Sequence, residues 1–251
     1  MSTKHYRSCS PWSGLPCSKV AQDRSFPLYI TPPANGQIRV RRLVHRGAPR
    51  PAYKFWSLKL GRIVQCESVL EVEVAQLLDA SPEVAEFSEQ PAFINYEIAG
   101  QRHVHVPDFV VRTTDRREFI EVKYSYTVDD EVRRRTTLLV NRLAHFGWDY
   151  RLLTDAEINR GSWLSNARVL LRRGQESGSL PWSLQTYERV RQHGSIRLED
   201  FGWSVSRNQQ AAWIASELIR GRLWADRSMP ITARTPVCLP GRSNTWRTLP
   251  W

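Results

Sequence analysis

Several residue types are scarce in this 251-residue chain, and each scarcity excludes a class of protein. The four cysteines, Cys9, Cys17, Cys66 and Cys238, form no Cys-x-x-Cys pair and have no metal-ligand spacing. They predict neither a zinc site nor a disulfide framework and fit reduced thiols of an intracellular protein. Arginine or aspartate soon interrupts every hydrophobic stretch, so no signal peptide or membrane segment is predicted. We therefore expect a soluble, cytoplasmic protein.

Acidic residues are almost absent from the first quarter of the chain. Residues 1–62 hold 12 Lys or Arg and one acid, whereas residues 63–251 hold 24 of each sign, so the N-terminal part carries the whole net charge of +11. This part is rich in proline and contains RVRRLVHR at 39–46. Its composition predicts a basic arm over 1–53 that follows phosphates, with a solvated, partly disordered tail as the alternative.

Lysine is scarce as well, and its distribution singles out one position. Only five of the 36 basic side chains are lysine, and Lys123 is the single lysine after Arg62. An ammonium is a compact point charge whose pKa shifts readily, whereas a guanidinium stays charged. Position 123 is therefore predicted to need an ammonium, and arginine would be a poor substitute.

The residues around Lys123 form a recognisable pattern. Lys123 stands two residues after Glu121, and Pro107-Asp108 precedes them. On a strand, Glu121 and Lys123 would share a face while Val122 points into the core. Hard divalent cations take oxygen ligands and keep several waters, so two carboxylates suffice to hold one. The pattern is typical of metal-dependent nucleases, in which the lysine orients or helps to deprotonate an attacking water; a charge pair without special function is the alternative.

Apolar periodicity places this pattern in a series of secondary structure elements. A helix is predicted over 64–78, ended by Ser81-Pro82, with Glu67 and Glu71 on one side. Either carboxylate of this pair can approach a metal held by the strands, and a solvated helix face is the alternative. Strands are predicted at about 84–89, 93–98, 103–111 and 118–124, then a helix over 130–146 with its arginines at 133–135 outward, and a strand at about 149–153. This order predicts an α/β layer fold and is the order of the restriction-endonuclease-like PD-(D/E)xK core.

Four segments carry a more specific resemblance: KFWSLKLGRIVQCESVLE at 54–71, PEVAEFSEQPAFINYEIAG at 82–100, VPDFVV at 106–111 and EFIEVKYS at 118–125. Together they resemble TnsA-type transposon-end endonucleases of the PD-(D/E)xK superfamily over residues 54–153. The resemblance implies four catalytic residues: Glu71, Asp108, Glu121 and Lys123. Metal ligation is expected from Asp108, Glu121, Glu71 and the backbone carbonyl of Val122, although the choice of Glu71 over Glu67 stays open. Some family members have glutamine where this chain has Glu121, so the ligand set here is the fuller one.

The resemblance also implies an activity and partners. The activity would be a DNA endonuclease that cuts near the 5′ ends of a transposon, with Mg²⁺ as the cofactor and Mn²⁺ as a substitute. The implied partners are double-stranded DNA of the transposon ends, a DDE-type transposase subunit and an AAA+ ATPase regulator, in a bacterial, nucleoid-associated setting. A stand-alone restriction or repair nuclease would use the same residues. A non-catalytic DNA-binding scaffold is the other alternative.

The remaining predictions concern domain limits and three weaker site candidates. The nuclease domain is predicted over 54–173, followed by a linker at GQESGSL and a C-terminal domain over 174–251. Helical periodicity at 182–190 and 209–223, then a β-hairpin within 222–237, predicts a winged-helix-like domain that docks a protein or DNA. Gln90 is expected to bond backbone between strands. His103 and His105 share a strand face before Asp108 but stay outside the predicted catalytic set.

Overall fold

The computed structural model describes residues 28–34, 37–41, 52–174, 183–205, 208–241 and 249–250. Eleven strands occur in these segments: β1 Tyr29–Thr31, β2 Tyr53–Ser57, β3 Arg62–Cys66, β4 Glu86–Glu89, β5 Phe93–Ile98, β6 Gln101–His105, β7 Phe109–Arg112, β8 Arg117–Lys123, β9 Asp149–Thr154, β10 Ser195–Arg197 and β11 Pro236–Cys238. Six α-helices lie in the same segments: α1 Val69–Ala80, α2 Asp130–Ala144, α3 Asp155–Ile158, α4 Trp163–Gly174, α5 Ser183–His193 and α6 Gln209–Ile219. None of these helices is both long enough and apolar enough to span a bilayer. The expected mixed α/β architecture is confirmed.

The central sheet has the strand order β4-β7-β8-β9. The first three strands pair antiparallel, whereas β8 and β9 run parallel and are joined through α2. Successive side chains on a strand point to opposite faces. Ile120 and Val122 pack in the cluster that contains α1, while Val110 and Phe119 pack in the cluster that contains α2. The two helices therefore cover opposite faces of this sheet.

Helix α1 begins later than its apolar spacing predicted. Residues 64–66 belong to β3, which pairs antiparallel with β2, so the predicted helix start was wrong. Ser68 has an extended backbone, and its hydroxyl accepts a hydrogen bond from the Glu71 amide, which caps the helix. Val64 and Cys66 are buried at alternate positions, as in a strand. A short apolar run such as this one fits either a strand or a helix, so periodicity alone did not separate the two. The predicted end at Ser81 is confirmed.

The single strand predicted over 103–111 is divided between two sheets. β6 pairs with β5 in a sheet of order β1-β5-β6, whereas β7 belongs to the central sheet. Pro107 lies between them, and proline lacks the N–H that a continuing ladder would need. The break directs the chain from one sheet to the other immediately before Asp108.

The C-terminal region packs against the region that holds the central sheet. One hydrophobic cluster contains Leu70 of α1, Leu170 of α4 and Leu218 of α6. The hairpin predicted within 222–237 is not formed, because β11 pairs with the distant β10 and Trp224 adds a bridge to Cys238. Residues 175–182, which hold most of the expected linker, lie outside the described residues. The domain limit at 174 and the winged-helix-like architecture stay predictions.

Candidate active site

The register of the central sheet brings Asp108 and Glu121 together. Phe109 of β7 pairs with Ile120 of β8, so the next residues along, Asp108 and Glu121, lie opposite each other at the end of the ladder. The Val122 amide donates a hydrogen bond of 2.7 Å to Asp108 Oδ2. This contact also places the Val122 backbone beside the Asp108 carboxylate. The sheet register therefore explains why Asp108 and Glu121, which the sequence pattern paired, lie close together.

Glu121 is the centre of a charged cluster. It is 3% exposed, and its Oε1 lies 2.9 Å from Lys123 Nζ and 3.4 Å from Arg135 Nη2. Its Oε2 lies 3.2 Å from His105 Nε2, but this atom makes no well-oriented hydrogen bond in the described part of the chain. Burial raises the pKa of Glu121, but His105 and Lys123 more than offset burial, so the pKa lies below its ordinary value. Glu121 is therefore an ionised carboxylate.

The expected contact between Glu121 and Lys123 is present, and it constrains the role of the lysine. Burial lowers the pKa of Lys123, but the adjacent Glu121 carboxylate raises it by a larger amount. The pKa of Lys123 therefore lies above its ordinary value. Lys123 is therefore an ammonium at neutral pH. This charge state suits orienting water or stabilising developing negative charge.

The carboxylates of this site repel one another. The pKa of Asp108 is raised well above its ordinary value, first by burial and then by Glu121 and Glu71. The pKa of Glu71 is raised by burial, with Glu67 and Glu121 adding repulsion. A divalent cation relieves such crowding, and hard oxygen donors are the ligands that Mg²⁺ takes. The residues present therefore fit Mg²⁺, although no group of three or more His, Cys, Asp or Glu in the described segments is already arranged to hold a metal.

The structure distinguishes Glu71 from Glu67: only Glu71 lies on α1, and the prediction that the helix also carries Glu67 was wrong, because Glu67 precedes the N-cap Ser68. Glu71 is 8% exposed; its Oε2 accepts from the Glu67 amide at 2.8 Å and its Oε1 from the Ser68 hydroxyl at 2.9 Å. Glu67 instead pairs with Arg41 at 3.1 Å and accepts from Gln90 Nε2 at 2.9 Å. Glu71 is electrostatically coupled to both strand carboxylates, which favours Glu71 as the helix carboxylate. Its hydrogen bonds also give it a part in capping α1.

Gln90 connects three parts of the site. Its amide donates to the Asp108 carbonyl at 2.8 Å, and its carbonyl accepts from the Val40 amide at 3.0 Å. Its backbone has φ of 44°, an uncommon value for a residue with a Cβ, and its side chain is 3% exposed. The expected backbone bonding is present, and the hydrogen bond to Glu67 adds a side-chain role that the sequence did not indicate.

Part of the basic arm lies against this region. Arg39 is 3.6 Å and Arg62 2.8 Å from the carboxylate of Glu89, which is buried at the end of β4. The Ser88 hydroxyl donates to the Ile38 carbonyl at 3.2 Å. Residues 37–41 are thereby anchored beside the end of the sheet that carries Asp108 and Glu121. The rest of the predicted phosphate-binding run, 42–46, lies outside the described residues.

Sequence reasoning missed two neighbours of Glu121. His105 also contacts the Tyr150 hydroxyl at 2.9 Å, whereas His103 stacks on Tyr96 with ring centres 5.4 Å apart. Arg135 was expected to point outward with its neighbours, but its side chain is only 16% exposed and faces Glu121. For His105, the alternation that placed it on one strand face with His103, just before Asp108, was the available signal. For Arg135, the run of three consecutive arginines did not indicate which of them would face Glu121.

Comparison with known families agrees with this geometry. Residues 81–155 match the family model described as "TnsA-like endonuclease N terminal", and the match spans Asp108, Glu121 and Lys123. The resemblance to TnsA-type endonucleases is confirmed. No curated protein gives a significant match to the chain. The TnsA-like segment thus supports a nuclease, and it contains β4 to β9 with α2.

Proposed function

We propose that the chain is a metal-dependent DNA endonuclease subunit of a heteromeric transposase, which hydrolyses phosphodiester bonds near the 5′ ends of a transposon. The observation that carries this proposal is the cluster of Asp108, Glu121 and Lys123 inside the TnsA-like segment. A restriction-endonuclease-like PD-(D/E)xK core is the fold that this arrangement supports. Double-stranded DNA is the substrate that follows from an endonuclease of this type.

Asp108, Glu121, the Val122 carbonyl and Glu71 would hold Mg²⁺, or Mn²⁺ in its place. Such a bound ion lowers the pKa of water and polarises the phosphate. The raised pKa of Lys123 keeps its ammonium charged, so this side chain orients the attacking water and stabilises negative charge that develops on the phosphate. His105 contacts Oε2 of Glu121, and Arg135 contacts the same Oε1 atom as Lys123, so both residues help to hold Glu121 in place.

The proposed partners follow from the same reading. A DDE-type transposase subunit would cleave and join the 3′ ends, because a subunit that cuts near the 5′ ends leaves those bonds intact. An AAA+ ATPase regulator is the partner proposed for the C-terminal region. Residues 37–41 place arginine beside the site, where phosphate affinity is expected to exceed base specificity. A bacterial, nucleoid-associated location fits a subunit with this substrate.

The deciding test is strand cleavage of DNA that carries the transposon's own ends, with Mg²⁺ or Mn²⁺. It is carried out in the presence and absence of the proposed transposase subunit. Wild type is compared with Asp108→Ala. We expect a cut near the 5′ ends that requires the transposase and disappears in the variant. Cutting without the transposase would instead identify a stand-alone nuclease. If neither wild type nor Asp108→Ala cuts DNA under any of these conditions, a non-catalytic DNA-binding scaffold becomes the favoured function.

Replacement of Lys123 by arginine tests the need for an ammonium. Lys123→Arg keeps the charge but spreads it over a planar group, so we expect cleavage to fall about 100-fold or more. Thermal unfolding is measured alongside, because a folded but inactive variant separates chemistry from stability. Full activity in Lys123→Arg would refute the role given to this residue.

A further inference from the structure

Two exposed tyrosines follow the catalytic lysine directly. The rings of Tyr124 and Tyr126 stack with their centres 5.6 Å apart and their planes at 27°. Tyr126 is 84% exposed and Tyr124 is 37% exposed. Tyrosine combines a large apolar ring with a polar tip, which makes it a frequent contact residue at binding surfaces. Core packing does not account for a ring as exposed as that of Tyr126.

The turn that carries these rings is fixed to the sheet. The Ser125 amide donates to Asp155 Oδ1 at 2.6 Å, and the Ser125 hydroxyl binds the same oxygen. The Thr127 hydroxyl closes the turn by donating to the Tyr124 carbonyl at 2.8 Å. Asp155 begins α3 directly after β9, so the turn is tied to the carboxyl end of the neighbouring parallel strand. The stacked rings are therefore held in a defined place.

That place is the edge where the candidate catalytic groups lie. Ligands of α/β sheets bind outside the carboxyl ends of parallel strands, which here are the ends of β8 and β9. Tyr126 is three residues beyond Lys123, and three residues span at most about 11 Å of extended chain. Base pairs of duplex DNA follow one another at about 3.4 Å. Tyr126 can therefore reach DNA within roughly three base pairs of a phosphate held at Lys123.

The composition of the turn indicates which part of DNA it would touch. Residues 124–132 contain no lysine or arginine, and Asp129, Asp130 and Glu131 are acidic. This segment is unsuited to pairing with phosphates. The exposed ring faces remain, and they can pack on deoxyribose or on a partly unstacked base.

We propose that Tyr126, supported by Tyr124, binds a nucleotide that flanks the scissile phosphodiester, with the ring packed against its sugar or base. This inference rests on the proposed function and adds a substrate contact to it. DNA is favoured over a protein partner because Tyr126 lies only three residues from Lys123, so DNA with a phosphate at Lys123 would run close to this ring. The contact would bend or unstack the duplex locally and fix the cut position relative to the transposon end.

The test uses the full chain with Asp108→Ala added, so that DNA is bound but not cut, together with Mg²⁺ and the transposase. The probe is a transposon-end duplex with 2-aminopurine placed in turn at each of the three positions on either side of the cut. We expect Tyr126→Ala to weaken DNA binding about ten-fold and to abolish the fluorescence change next to the cut. Tyr126→Phe keeps the ring and is expected to behave like the parent.

Phe146→Ala is the matched control. Phe146 is another exposed aromatic, 36% exposed, beyond the far end of the 15-residue α2, about 22 Å from its start. This variant is expected to bind DNA like the parent. A uniform loss in both alanine variants would show a general effect of removing an exposed ring and would overturn the proposal.

Cleavage by the otherwise unaltered protein is measured in parallel, so that two kinds of failure are distinguished. If wild type cuts DNA and Tyr126→Ala cuts and binds it equally well, the tyrosine contact is refuted while the endonuclease stands. If Tyr126→Ala keeps its DNA affinity but no longer recruits the transposase, the surface binds protein and the proposal is wrong. If wild type neither binds nor cuts DNA, the proposed function fails and this contact fails with it.

Discussion

Both ends of helix α1 carry a buried acid, but the surroundings of the two acids differ. At the C-terminal end, Asp79 is fully buried and accepts hydrogen bonds from the Ser57 hydroxyl and from the amides of Leu58 and Lys59, at 2.5 to 2.9 Å. At the N-terminal end, Glu71 adds its charge to the site of Asp108 and Glu121, where burial and then repulsion between carboxylates raise the pKa values of Glu71 and Asp108.

This difference distinguishes a structural acid from a candidate functional one. A buried acid that accepts hydrogen bonds and lies near a cation, as Asp79 lies near Lys59, stabilises its surroundings, and its removal leaves donors without partners. Acids that crowd one another cost stability, and such groups concentrate at functional sites because a ligand relieves the repulsion. Burial alone would have classified both ends of α1 alike. Variants at Asp108, Asp79, Glu71, Ser68 and Lys59 test the comparison, from the largest expected effect to the smallest.

Asp108→Asn removes one of the crowded charges while nearly preserving the shape of the side chain. We expect cleavage to fall about 1,000-fold, because a metal ligand and its charge are lost. The free energy of unfolding is expected to stay constant or to rise, because repulsion from Glu121 is removed. Chemical denaturation and cleavage assays measure the two effects. A variant that unfolds easily would show that Asp108 has the structural role assigned to Asp79.

Asp79→Ala is expected to show the opposite behaviour. Three hydrogen-bond donors lose their acceptor, and we expect the free energy of unfolding to fall by about 3 kcal/mol. Cleavage per folded molecule is expected to persist. Asp79→Asn keeps one acceptor oxygen and serves as the control, with a smaller loss in the same urea titration. Lost cleavage with unchanged stability would contradict the comparison.

Glu71 takes part in both a cap and the site, so its two roles need separate variants. Glu71→Gln keeps a hydrogen-bonding side chain but removes the charge, and we expect cleavage to fall about 10- to 100-fold. Ser68→Ala removes the N-cap, and we expect a stability loss of about 1 kcal/mol with cleavage largely retained. Equal losses of cleavage in both variants would mean that Glu71 acts only through the helix cap.

Lys59 provides a pH test at the structural end of α1. Burial lowers its pKa to about 8, against the attraction of Asp79, and its ammonium donates to the Ser81 carbonyl at 2.9 Å. Between about pH 8 and the ordinary lysine value, the unfolded chain binds more protons than the folded one, so stability rises with pH. Because Lys59 is partly exposed, we expect wild type to gain about 1 kcal/mol over Lys59→Met from pH 7.5 to 9.5. Parallel stability curves in urea titrations would refute the shift.

The extent to which the sequence predicted the fold depended on the element. Alternation along β8 correctly placed Glu121 and Lys123 on one face and Val122 in the core, because strand geometry has a fixed period of two. The predicted helix over 64–78 overlapped β3, because short apolar runs fit both periods. The hairpin within 222–237 failed because β11 found its partner about forty residues upstream, in β10.

The sequence by itself singled out the candidate residues for the chemistry: the isolated Lys123, its spacing from Glu121, and the Pro-Asp that precedes them. These are properties of residue type and local period, and they need no knowledge of the fold. Only the tertiary structure decided that Asp108 faces Glu121 across the neighbouring strands β7 and β8. It also decided that His105 and Arg135 contact Glu121. The hydrogen bonds of Gln90, which tie residues 37–41 to the site, likewise needed the folded chain. Such contacts depend on sheet register and on the break at Pro107, which arise from packing between distant segments rather than from any local pattern.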